Sequence, residues 1–130
     1  MKKIISLVLF AIVLLSGLYL DVSQITVPDY IDKIYHFTGF SLITILSISV
    51  FIAFFDKKGL NIFLIFVLIF GGIISALAEF VQKFTITRSC DVNDWIASLC
   101  GIIFVAAFTY FANCKRERKM ELLEEKFELY

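Results

Sequence analysis

Residues 4–20 contain no charged side chain, and residues 95–112 contain none either. Residues 34–55 are interrupted only by His36 and several hydroxyls, while residues 60–84 carry Asn61, Glu79, Gln82 and Lys83 among apolar neighbours. These four runs constrain the chain more than any motif does, because about 20 apolar residues in a helix span the hydrocarbon core of a bilayer. In lipid only helices or closed barrels satisfy the backbone hydrogen-bonding groups. The alternating polarity of a barrel strand, sustained over about ten residues, is absent. The expected fold is therefore all-α, a polytopic membrane protein. It reads as a four-transmembrane-helix bundle over residues 1–114, followed by a charged tail over residues 115–130 that has helical periodicity. Composition agrees: 60% of residues are hydrophobic and 18% charged, against roughly 45–50% and about 25% in soluble domains. A soluble enzyme and a disulfide-rich secreted module are poor readings of such a chain. With formal net charge +0, no nucleic-acid partner is expected either.

Basic residues orient the bundle. Nine of the twelve, Lys2, Lys3, Lys57, Lys58, Lys115, Arg116, Arg118, Lys119 and Lys126, fall on one side of the proposed spans. Lys33, Lys83 and Arg88 fall on the other. The positive-inside rule then predicts a multi-pass cell-membrane protein with both termini cytoplasmic, and residues 21–33 and 85–94 facing outward. Lys2 and Lys3 before an apolar run also fit a signal peptide, but no A-x-A-like site follows, so a retained anchor is expected. In the tail, Met120, Leu123 and Phe127 recur at i, i+3 and i+7. That spacing fits a short amphipathic helix, either a solvated extension of the fourth span or a surface for lipid or a partner. Cys90, Cys100 and Cys114 form no CxxC and lie at three depths, so no disulfide framework or zinc spacing arises, and Cys100 reads as helix packing.

The polar groups that lipid does not favour are informative. Asp32 and His36 are i and i+4 on the second span and share a face, with Lys33 about a quarter-turn away. Glu79, Gln82 and Lys83 share a face on the third span, continued inward by Ala76, Ser75 and Gly72. Small residues let helices approach closely, so this face is expected to point into the bundle. Asp91, Asp94, Ser98 and Gly101 fall on one face of a helix starting near Asp91, where an aspartate also caps the helix. His36 and Glu79 each stand about five residues inside their helix ends, or roughly 7 Å below the same surface. Lys33 and Lys83 alone are explained by snorkelling to headgroups. The whole set predicts an outward polar pocket made by three helices. Arg88 would hold a phosphate or carboxylate there through its planar fork.

The run Asp32-Lys33-Ile34-Tyr35-His36-Phe37 with Phe40, then Glu79-x-x-Gln82, then Arg88-x-x-Asp91-x-x-Asp94 and Gly101, resembles the VanZ-like family of small bacterial membrane proteins. The resemblance spans residues 32–101 and implies that Asp32, Lys33, His36, Glu79, Gln82, Arg88 and Asp94 are the characteristic polar positions, with Asp91 matching less closely. Ser98 stands where the family usually has Asn and keeps a hydrogen-bonding group. Val105 stands where a second Gly is common and is expected to loosen packing of the fourth span. The family takes its name from a teicoplanin-resistance accessory protein. What the resemblance implies is a cell-envelope component, not resistance itself, because family does not fix function.

Several functions fit this pattern. The leading one is a binding protein whose pocket of Asp32, Lys33, His36, Glu79, Gln82, Arg88, Asp91, Asp94 and Ser98 takes a polar or anionic ligand. A lipid headgroup, an envelope precursor or a glycopeptide-like molecule all qualify. The alternative is a membrane-embedded enzyme with His36 and Glu79 as acid and base. No cofactor motif and no established metal-ligand spacing is present, so neither is expected, although His36, Glu79 and Asp91 or Asp94 could converge on a divalent cation in that version. Transport is disfavoured by four short spans and by an inner half lacking ionisable residues. A purely structural role would use the same groups as interhelical hydrogen bonds.

Overall fold

A computed structural model describes residues 4–5, 7–12, 28–55, 57–82 and 91–128, apart from the side chains of Lys58, Gln82 and Glu128. Three long helices dominate these residues: α1 (Asp29–Phe54), α2 (Leu60–Gln82) and α3 (Val92–Glu128). A short 3-10 turn, Lys57–Gly59, joins α1 to α2. Residues 4–5 and 7–12 are helical too. The rest of the expected first span lies outside the described residues, as do Lys83 and Cys90. Every element described is helical, and α1, α2 and α3 are each long and apolar enough to cross a membrane.

The helix ends follow local chemistry. Pro28 precedes α1, its fixed φ of −55° suiting a helix entrance, and its carbonyl accepts the Ile31 amide at 2.8 Å. Asp29 and Asp32 then lie in the first turn, where the dipole favours a carboxylate. With α1 starting at Asp29, His36 lies seven residues or roughly 10 Å along the helix, rather than five residues and 7 Å. Asp91 caps α3, its Oδ1 accepting the Asn93 amide at 2.9 Å. The α3 helix does not stop at the expected span end. It runs 37 residues to Glu128, roughly 55 Å at 1.5 Å per residue, well beyond the ~30 Å hydrocarbon core. The tail is thus a continuous extension of the last span, and Met120, Leu123 and Phe127 are exposed along it.

The α3 helix packs most extensively on α1 and next on α2, whereas α1 and α2 touch each other least. Near the turn the contact is apolar: Ile48, Leu60, Leu64, Val105 and Ala106 form a buried cluster against Phe51 and Phe63, whose rings stack with centroids 4.2 Å apart. Val105 is therefore packed into the core rather than loosening it. Toward the other end the helices approach through small residues. A Cβ at Gly101 would collide with the Phe37 carbonyl oxygen and stand 2.8 Å from Ser41 Oγ. Gly72 packs against Leu99, and its carbonyl accepts the Trp95 indole N–H at 3.3 Å.

The distribution of polarity is the reverse of a water-soluble fold. Ser75 and Ser98 are 0% exposed, whereas Phe104 is 63% and Phe108 71% exposed. Such an arrangement is unfavourable against water, where large apolar patches seek cover. It suits a hydrocarbon surround, in which small and hydroxyl residues mediate helix contact. Two expected positions differ: Ala76, placed on the inward face with Ser75, is exposed, and Cys100 is exposed rather than packed.

Candidate functional site

The polar groups gather at the end of the bundle where α1 and α3 begin and α2 finishes. Histidine 36 is the joint. Its Nδ1 lies 3.3 Å from Ser98 Oγ on α3 and 3.3 Å from Glu79 Oε1 on α2. The Ser98 hydroxyl donates its only hydrogen to the Asp94 carbonyl at 2.9 Å. Ser98 Oγ can therefore only accept from His36, so Nδ1 carries the ring hydrogen. The Glu79 carboxylate stands at ion-pair distance from the same nitrogen without accepting its hydrogen. The side chains of His36 and Glu79 are 10% and 4% exposed, so the contact is shielded from solvent and lies among three helices.

A second layer sits one turn nearer the helix ends. Lys33 Nζ donates to Asp29 Oδ1 at 2.8 Å and to Asp91 Oδ2 at 3.4 Å, and it stands 3.7 Å from Asp94 Oδ1. It ties the start of α1 to the start of α3 instead of reaching for headgroups alone. The Asn93 amide, Lys33 and the Asn93 side chain together hold the Asp91 carboxyl below its ordinary value, outweighing partial desolvation. Asp94 is 5% exposed, and its Oδ1 accepts no hydrogen bond among the described residues. Asp32, one turn before His36, approaches both: one atom each from Asp32, His36 and Asp94 lies within 4.8 Å of the others.

Of the expected pocket residues, Asp32, Lys33, His36, Glu79, Asp91, Asp94 and Ser98 are brought together. Gln82 is the last residue of α2, its side chain outside the described set, and Arg88 lies outside it entirely. Capping accounts for Asp91, while Asp94 faces inward, so the two aspartates divide the roles that one spacing left joined. Asp29 was not anticipated as a member, although an acid four residues before Lys33 is a readable helix pair. An apolar groove of about 360 Å³, lined by Leu64, Leu68, Ile103 and Phe111 among others, lies toward the opposite end and shares no residue with the cluster. Comparison with family models, curated proteins and solved structures finds no match to this chain.

Proposed function

We propose that the chain is a VanZ-like integral membrane protein of the cell envelope, a four-helix bundle with cytoplasmic termini. Its polar cluster binds the headgroup of a membrane lipid or of a lipid-linked envelope precursor at the outer surface. The observation that carries this reading is the convergence on His36 of Glu79 and Ser98, each 3.3 Å from Nδ1 and each from a different helix. Polar groups in a membrane cost free energy, about 2.5–3.5 kcal/mol for a charge at the bilayer centre on insertion scales, and their usual use there is function. The distribution of basic residues supports an outward position for this end. Lys33 is the cation of the cluster among the described residues, and the sequence puts Arg88 on the same side as a further candidate for a phosphate-bearing headgroup, while the hydroxyl and imidazole groups offer hydrogen bonds to a sugar or amide.

The test is gentle purification followed by mass spectrometry of what stays bound. One defined lipid or precursor should co-purify in stoichiometric amount and be lost from Lys33→Ala and Arg88→Ala, with the protein still folded. Recovery of bulk lipid only, in the same proportions for wild type and variants, would refute the binding reading.

The 3.3 Å approach of His36 to Glu79 also favours a second reading, acid–base chemistry on the bound headgroup. In that case Glu79→Gln abolishes turnover while the ligand still co-purifies.

A further inference from the structure

The charges described in this cluster do not balance. Asp29, Asp32, Glu79, Asp91 and Asp94 face Lys33 and a histidine, and Lys33 is drawn closest to Asp29, at 2.8 Å, and stands farthest from Asp94, at 3.7 Å. Asp94 is the most deeply buried of the described aspartates, yet its Oδ1 accepts no hydrogen bond among the described residues. A buried carboxylate oxygen so placed calls for a positive partner.

We propose that Asp32, His36 and Asp94 form a binding site for a divalent transition-metal cation. One donor atom from each already lies within 4.8 Å of the other two. Metal–ligand bonds of about 2.0–2.2 Å set neighbouring donors roughly 3–3.5 Å apart, so small side-chain rotations close the site. One imidazole and two carboxylates form a borderline nitrogen–oxygen set, suited to zinc, manganese or iron rather than to calcium or copper(I). The histidine is prepared for the role. With its hydrogen held on Nδ1 toward Ser98, the neutral ring keeps a lone pair on its other nitrogen, and the Glu79 carboxylate, 3.3 Å from Nδ1, stands where a small movement would let it orient a metal-bound histidine. Three protein ligands leave coordination positions open, and Asp32 is half-exposed, so those positions lie toward the helix ends. A cation there would let an acid-rich cluster accept a phosphate or carboxylate. The proposal thus deepens the headgroup-binding reading and shares its residues, while standing on separate geometry.

The test uses the full chain in detergent micelles, stripped with EDTA and titrated with cobalt(II) alone as a spectroscopic substitute for zinc. The expected result is one equivalent bound, with weak visible d–d absorption and none of the intense near-ultraviolet charge transfer of thiolate ligation. Asp32→Asn, His36→Gln and Asp94→Asn should each weaken binding at least about tenfold. Far-ultraviolet circular dichroism and the fluorescence of Trp95 check the fold. Where Asp94→Asn fails to fold, Asp32→Asn decides the matter, because its side chain is only half-buried. No saturable binding, binding unchanged in Asp32→Asn, or a thiolate spectrum would each overturn the site. Cobalt binding without a co-purified headgroup would sink the functional proposal and keep the metal; a bound headgroup without metal would do the reverse.

Discussion

His36 Nδ1 and Glu79 Oε1 lie 3.3 Å apart, joining α1 to α2 across a space that α3 closes with Ser98. Since α1 and α2 otherwise touch little, this polar contact is a main tie between them at their shared end. Interhelical polar contacts in membranes average about 0.6 kcal/mol and reach about 1.7. Glu79→Ala should therefore destabilise the bundle by about 1–2 kcal/mol, and Glu79→Gln, which keeps an acceptor of the same shape, by less. Reversible unfolding in mixed micelles of increasing SDS content measures both. An alanine variant as stable as wild type would show that the pair contributes nothing to the fold.

Gly101 faces the backbone of α1 with no room for a methyl group, since a Cβ would strike the Phe37 carbonyl oxygen. The obstacle is backbone, which cannot rotate away as a side chain can. Gly101→Ala should force α1 and α3 apart and cost about 1–3 kcal/mol, the range for overpacking. Because the separation occurs beside Ser98, the same variant should weaken the His36 contact. The unfolding midpoint and the cobalt affinity are expected to fall together. Preservation of both would mean that α3 sits farther from α1 than described.

The spans and the site were unequally legible in the sequence. Hydrophobic length alone located α1, α2 and the membrane portion of α3, because lipid imposes a length that any sequence must meet. The i, i+4 spacings put Asp32 with His36 and Asp94 with Ser98 on common faces, and matching depth brought Glu79 to them. Periodicity does not report which neighbour a face meets, so the closeness of α3 to α1, the burial of Val105 and the exposure of Ala76 and Cys100 emerged only from packing. Hydrophobic length does not reveal Asp29, because it starts the span at Ile34, after Lys33, whereas the helix begins at Asp29 behind Pro28. A charged first turn looks like a loop when hydrophobicity alone sets the boundary.

Asp91 makes the start of α3 sensitive to acid. Its carboxyl is held below the ordinary 3.8 chiefly by the Asn93 amide, with help from Lys33. A depressed folded value means that the carboxylate stabilises the folded helix start at full strength above pH 3.8. That contribution is lost as pH falls through the lower folded value. Amides 92–95 should thus keep their hydrogen-exchange protection down to about pH 4 and lose part of it below. Asp91→Asn, which still caps but cannot ionise, should remove that local dependence. The same acid response in the variant would assign it to another group.

Trp95 offers a direct view of the second interface. It is the only tryptophan in the chain, and its indole N–H donates to the Gly72 carbonyl across the α2–α3 contact at 3.3 Å. That carbonyl also accepts the Ser75 hydroxyl at 2.9 Å, so replacing Trp95 does not orphan it. Trp95→Phe should then cost only about 0.5–1.5 kcal/mol, the net worth of one hydrogen bond. The emission should instead be the sensitive readout. Gly72→Leu, which crowds Leu99 through a position where a Cβ would already stand 3.3 Å from it, should separate the helices and shift Trp95 emission to the red while α1 and α3 stay packed. An unchanged spectrum in Gly72→Leu would place the indole outside the α2–α3 contact.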